Sequence, residues 1–298
     1  MTANFPAKLI LFGEYTIINN STALAIPFEK YQGKISFDAK ESRSSIESNI
    51  VLQKIFQYLL DKFFIHVNTS LLEEDLHKGI WFDSAIPQGY GLGSSGALVA
   101  ALYQRYFINK ASEPKKIKQT LAEIESFFHG TSSGLDPLVS YLNKMLIINS
   151  DKSIEIVENT SASKSDENSL LFVIDCGFAR QSSNLVNNYL DMCKNSSFES
   201  NFILPMKDAV SLALDSFFYK KETMSLAFGK ISELQYIHLK KMIPIEFHAL
   251  WEEGLKSKDY YLKLCGAGGG GFILGYCPDK IKYKSLFDGF KTTIVMEL

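Results

Sequence analysis

The stretch QGYGLGSSGAL, Gln88 to Leu98, sets three glycines at alternate positions and follows them with two serines. Upstream, Ile80 to Ile86 reads as a strand. Downstream, Leu98, Leu102 and Tyr106 recur at helical spacing. The segment therefore reads as strand, loop from Pro87 to Gly93, and helix from Ser94. Gly89, Gly91 and Gly93 remove side chains, so the backbone can come close to a bulky anion. Ser94 and Ser95 fall where a helix start presents unpaired N–H groups and the positive end of its dipole. Serine hydroxyls also suit a magnesium ion carried by a nucleotide. A tight turn with a serine N-cap is the ordinary alternative. It needs fewer glycines than stand here, so phosphate binding is the expectation, with Gly89, Gly91, Leu92, Gly93, Ser94, Ser95 and Gly96 around the phosphates.

Other nucleotide-binding patterns fit poorly. No GxxxxGK[ST] occurs, which excludes a Walker P-loop. Gly91 to Gly96 satisfy G-x-G-x-x-G, but the region about 20 residues on reads ASEPKKIKQT, not a strand ending in an acidic residue. The VAIK, HRD and DFG elements of protein kinases are missing.

Two further segments carry chemistry. ESFFHGTSSGLDP, Glu125 to Pro137, gathers a carboxylate, His129, hydroxyls and Asp136 around a glycine turn. Asp136 before Pro137 also suits a turn or cap, Glu125 a solvated helix surface, and His129 a helix C-terminus. KLCGAGGGGF, Lys263 to Phe272, puts five glycines in six positions between two strands. That is more than a bulged hairpin requires, and close backbone approach to a ligand would account for it.

Elsewhere, AKLILFGEYTII reads as a strand, a turn at Gly13-Glu14, and a second strand rich in β-branched residues. Lys34 to Phe37 reads as a strand. Ile46 to Phe63 carries an amphipathic helical pattern. KKIKQTLAEIESFFHG reads as a helix capped near Gly130, and TSSGLDP opens the next. The polar stretch Asn159 to Ser169 is either a loop near a domain boundary or a long hairpin tip. Beyond it come a buried strand at Leu170 to Asp175, helices over much of Ser182 to Glu253, and a final strand, TTIVMEL. A chain of 298 residues suits two modest domains. A net charge of -2 gives no electrostatic reason to expect nucleic acid or an anionic membrane as partner. The four cysteines form no CxxC pair and are expected to be free thiols. The apolar stretch Leu9 to Ile18 is broken by Gly13 and Glu14, unlike an export signal, and no run is long enough for a membrane span. A cytoplasmic location is expected.

Together, AKLILFGEY, IPQGYGLGSSGAL and KLCGAGGGGF resemble, in order and at compatible spacing, the three motifs of the GHMP kinase superfamily, and most closely its bacterial mevalonate kinase branch. The resemblance implies an α+β fold of two domains, an N-terminal one like ribosomal protein S5 domain 2 (1–165) and a ferredoxin-like C-terminal one (166–298). It implies ATP as co-substrate and Mg²⁺ as cofactor. Asp136 matches the catalytic aspartate, Lys8 the lysine that contacts it, and Ser95 and Glu125 the magnesium ligands. Glu14, Tyr15, Gly266 and Ala267 fall on the substrate side. The implied reaction is phosphorylation of the 5-hydroxyl of mevalonate. The alternatives are another small-molecule kinase of the superfamily, acting on phosphomevalonate or a sugar, and a catalytically silent binding protein. Tyr15 stands where mevalonate kinases commonly carry histidine and phosphomevalonate kinases often carry tyrosine. Gly96 replaces a common alanine, a change the loop is expected to tolerate, and Cys265 a frequent hydroxyl residue. Oligomeric state is open, a homodimer being compatible with the sequence.

Overall fold

A computed structural model describes residues 3–37, 43–158, 168–180 and 185–298. The expected loop at Asn159 to Ser169 falls largely outside the described residues, as do the His129 side chain and the first residues of the helical stretch from Ser182.

The chain opens with β1 (Phe5–Phe12), an almost wholly buried strand. The second strand expected from Thr16 does not form there. Instead Thr16–Asn19 is a 3-10 turn closed by Asn20 in the left-handed region. Ile17 N–H donates to the Gly13 carbonyl at 3.0 Å, and Tyr15 has φ 64°, so the backbone has left the extended path before the β-branched residues arrive. Strand β2 (Ala23–Ser36) follows as one 14-residue element.

Two compact units are distinguished. The first comprises Met1–Lys8, Ile26–Pro87 and Leu92–Met145, the second Leu9–Ala25, Gln88–Gly91 and Leu146–Leu298. In the first unit, α1 (Arg43–Phe63) and α2 (Thr69–His77) lead to β3 (Trp81–Ser84), which runs antiparallel to the end of β2, Gly33 opposite Ser84 and Ser36 opposite Trp81. Three helices follow, α3 (Ser94–Tyr106), α4 (Pro114–His129) and α5 (Leu135–Leu142). Residues 96–103 of α3 are buried without a break, which marks it as the central helix rather than an amphipathic surface one. Leu52, Ile55, Phe56 and Leu59 of α1 supply the buried stripe the spacing predicts, with the Phe56 ring edge-on to Tyr106 at 5.1 Å.

After α5 the chain continues into β4 (Met145–Ile148), paired antiparallel to the start of β2, and β5 (Ile154–Val157). Then come β6 (Leu170–Asp175), α6 (Leu185–Met192), the single turn α7 (Ser196–Phe198), α8 (Leu204–Phe218), α9 (Met224–His238) and α10 (His248–Ser257). The chain closes with β7 (Tyr261–Leu264), β8 (Phe272–Cys277), α11 (Lys280–Leu286) and β9 (Thr292–Glu297). Strands β6 to β9 form an antiparallel sheet in the order β7-β8-β6-β9. With helices between β6 and β7 and between β8 and β9, this is the strand–helix–strand–strand–helix–strand arrangement of a ferredoxin-like domain. The central strands β6 and β8 are apolar on both faces, and Phe172 of β6 lies 4.5 Å from the Phe287 ring. Among the described residues no helix is long and apolar enough to cross a membrane.

Candidate active site

The first unit draws four of the sequence-singled residues into one cluster. Lys8 lies on buried β1, and its backbone N–H donates to the Leu92 carbonyl at 2.9 Å. Its ammonium pairs with Asp136 Oδ1 at 2.9 Å. Asp136 sits in the first turn of α5, where the unpaired N–H end of a helix favours a negative group. Its carboxylate is half-exposed, while the Lys8 side chain is buried, so this charge pair keeps one face open to a reactant.

Gly93 is the N-cap of α3, at φ 70° and with no side-chain cap, and Ser94 and Ser95 open the helix itself. The serine N-cap alternative is therefore not what forms. Ser95 Oγ donates to Glu125 Oε1 at 3.3 Å, and Ser132 Oγ donates to Glu125 Oε2. Ser132 also accepts from the Gly134 N–H at 2.9 Å, which ties the turn before α5 to α4. Glu125 is buried rather than on a solvated helix face. Burial pushes its carboxyl up to about 7, with the Asp136 charge adding to the rise and the Ser132 and Ser95 hydroxyls and Lys8 opposing it.

Gly96 has a packing role that the sequence conceals. A methyl group there would lie 2.8 Å from Pro137 N and 2.9 Å from the carbonyl carbon and the Cβ of Asp136. The missing side chain lets α3 lie directly on the residue pair that carries the cluster's carboxylate. An alanine here fits only if α3 and α5 separate.

Two carboxylates and a hydroxyl are hard oxygen donors, the set that Mg²⁺ accepts when phosphates and water complete its shell. No group of three or more His, Cys, Asp or Glu side chains able to hold a metal occurs among the described residues. Ser95 and Glu125 offer part of such a shell, which phosphate oxygens and water would complete. In the metal-free protein, Glu125 has a testable consequence. Its folded value lies above its ordinary 4.5. Between these two values the native state keeps a proton that the unfolded chain has lost, so stability falls as pH rises toward about 7. Glu125→Gln abolishes this dependence. In chelator, its thermal midpoint is expected to exceed that of the unmutated protein at about pH 8, by up to roughly 3 kcal/mol of stability, and to match it at about pH 4.

The second unit holds the other named residues. Gly89 and Gly91 belong here, with Arg180 N–H donating to the Gly89 carbonyl at 3.0 Å. A methyl on Gly271 would strike the Tyr90 backbone at 2.8 Å, so this glycine is needed for two chain segments to touch. Part of the glycine run thus serves packing rather than a ligand. Tyr15 is buried and donates its phenol to the Ala267 carbonyl at 2.5 Å. Burial drives its pKa well above the ordinary phenol range, the Arg180 guanidinium opposing and Glu14 adding. The Glu14 carboxylate is buried against the Lys263 ammonium, the two side chains 2% and 1% exposed.

Three contributors escaped the sequence reading. Ser132 was only one hydroxyl among several. Lys263 lies inside the glycine-run motif, and its only signal is a charged residue in a strand that must be buried. Arg180 follows the end of β6 and belongs to no motif. Its Nη2 would lie 3.0 Å from a methyl on Gly91 and 3.6 Å from one on Gly266. The guanidinium thus lies over the bare backbone of two glycines, and among the described residues no carboxylate forms an ion pair with it.

Comparison with known proteins bears on the fold and on the family that the chain resembles. The family model for the GHMP kinases N terminal domain matches residues 49–144. The mevalonate kinase of Thermococcus sibiricus is 24% identical, over 93% of this chain and 89% of that protein. The structure of L. major mevalonate kinase in complex with R-mevalonate superposes with a TM-score of 0.67 at 15% identity, covering 100% of this chain and 96% of that one. Streptococcus pneumoniae phosphomevalonate kinase in complex with phosphomevalonate and AMPPNP gives 0.64 at 16% identity, covering 99% and 100%. At such identities the structural likeness establishes the fold.

Proposed function

We propose that this chain, whose residues 49–144 match the GHMP kinases N terminal domain, transfers the γ-phosphoryl group of ATP to the 5-hydroxyl of mevalonate, giving 5-phosphomevalonate and ADP. The observation that carries the reading is the Lys8–Asp136 pair at 2.9 Å, its carboxylate half-exposed in the first turn of a helix. Phosphoryl transfer asks a protein chiefly for positioning and charge stabilisation. In this proposal Asp136 Oδ2 takes the proton of the acceptor hydroxyl as its oxygen attacks phosphorus. Lys8 holds the carboxylate in place through Oδ1 and offers its charge to the attacking oxygen. Backbone N–H groups at the start of α3 face the phosphates, and a fixed helix end needs no rearrangement during the reaction. Ser95 and Glu125 would hold Mg²⁺, which supplies charge neutralisation for the β- and γ-phosphates when bound.

The choice of mevalonate rests on the curated relatives and on Arg180. A guanidinium over Gly91 and Gly266 suits a carboxylate, which it can engage through two parallel hydrogen bonds. Arg180→Gln is expected to raise the acceptor KM by about 10- to 100-fold, the loss of one charge-assisted contact. A phosphomevalonate acceptor is the second reading, favoured by Gly13-Glu14-Tyr15 and by the likeness to the phosphomevalonate kinase structure. ADP release measured side by side with mevalonate, phosphomevalonate and galactose tests the assignment. Turnover confined to mevalonate is the expected result. Turnover confined to either other compound replaces the acceptor, and ADP release with none of the three defeats the reading.

A further inference from the structure

We propose that Lys263 is a positioning residue for the phosphoryl acceptor, acting through Glu14 to hold Tyr15 in a strained turn; the acceptor part of this inference rests on the function proposed above. Tyr15 has φ 64° and ψ -53°, and Thr16 N–H donates back to the Glu14 carbonyl at 2.7 Å. A three-residue turn with those angles is a γ-turn of the rare, strained hand, and a non-glycine residue persists in it only when its surroundings impose it.

Those surroundings can be named. On the N-terminal side of Tyr15, the Glu14 carboxylate is fixed by Lys263, whose ammonium also donates to the Leu264 carbonyl at 2.9 Å. At the far end of the side chain, the phenol donates to the Ala267 carbonyl. Against its face lies the Tyr189 ring, 4.6 Å away, which is itself anchored by donation to Asn19 Oδ1. Lys263 and Ala267 are four residues apart in one segment, and Glu14 and Tyr15 are adjacent in another. The two contacts therefore close a small circuit between the turn after β1 and the glycine run after β7. The β7 side of the circuit is held as well, since Gln235 of α9 accepts the Leu264 N–H at 2.7 Å.

A buried ion pair is a weak source of stability, and apolar residues of similar size often serve the fold equally well. What apolar residues would not supply is a fixed direction for Glu14, hence for the strained residue next to it and the Ala267 carbonyl it grips. Gly266, beside that carbonyl, is one of the two glycines over which Arg180 stands. The circuit thus sets the spacing on which an anionic acceptor depends, while the Glu14 carboxylate, already paired, is not itself the group that binds it.

The test is the double variant Glu14→Gln/Lys263→Met, which removes both charges together and leaves neither buried alone. It is expected to melt within a few degrees of the unmutated protein. Its acceptor KM should rise by about tenfold, while the KM for ATP stays within about twofold. Tyr15→Phe should give a similar rise, and the triple variant no further rise, because both act through one circuit. An acceptor KM unchanged in the double variant overturns the proposal, and so does a double variant that cannot fold. Hydrogen exchange of the Thr16 amide keeps this test apart from the assignment of function. The double variant should lose its protection even if the unmutated protein phosphorylates nothing in the panel. Retained protection sinks the positioning role, whereas absent turnover in the unmutated protein sinks the kinase reading alone.

Discussion

Asp136→Asn is expected to lower kcat by about 10²–10⁴-fold with mevalonate as acceptor, and to leave the KM for ATP nearly unchanged. Asparagine keeps the shape of the side chain and still offers an oxygen to the Lys8 ammonium, so the geometry of the 2.9 Å contact is retained. What disappears is the proton acceptor. A neutral hydroxyl is a poor nucleophile toward phosphorus, and without a base at Oδ2 it attacks with its proton still in place. The nucleotide is expected to feel little, because the serines and backbone N–H groups at the start of α3 are untouched. ADP release under saturating ATP is the measurement. A kcat within a few-fold of the unmutated protein would mean that Asp136 is a cap on α5 and Lys8 only its counter-ion.

Gly96→Ala is expected to damage turnover more than stability. Alanine is the better helix former by about 1 kcal/mol. Against that gain, its methyl group meets backbone atoms of Asp136 and Pro137 at 2.8 and 2.9 Å, and overpacking of this kind typically costs about 1–3 kcal/mol. The two nearly offset, so the melting temperature should move by only a few degrees. The strain is relieved by α3 and α5 moving apart, which displaces the Asp136 carboxylate relative to Ser95 and Lys8. A misplacement of that order commonly costs up to about 10²-fold in rate. Unchanged kcat in Gly96→Ala would show that the helices absorb the methyl without moving the carboxylate.

Much of the fold was legible because it depends on local pattern. The helical stripe of α1, the start of α3 at Ser94, the cap near Gly130 and the glycine turn between β7 and β8 all follow from residues close in sequence. The β-branched residues after Gly13 misled for the same reason. Thr16, Ile17 and Ile18 favour a strand, but Tyr15 stands at positive φ and is packed against Ala267 and Tyr189, which no local window contains. Glu125 shows the same limit in the site. A glutamate on a helix next to FFHG could as well have faced water, and it is buried because Ser132 and Ser95 converge on it.

Sequence alone determined the residue types available: a glycine-serine helix start suited to phosphates, an aspartate and a lysine in segments similar to family motifs, and a resemblance to ATP-using kinases. Those properties reside in covalently adjacent backbone and in residue type, which are present before the chain folds. Only the tertiary structure decided which charges meet. Glu14 and Lys263 lie 249 residues apart yet share a buried ion pair, Arg180 stands over Gly91 and Gly266, and Gly96 makes room for Asp136. The physical reason is that pairing, desolvation and steric fit belong to side chains brought together from distant segments, and no local pattern specifies their partners.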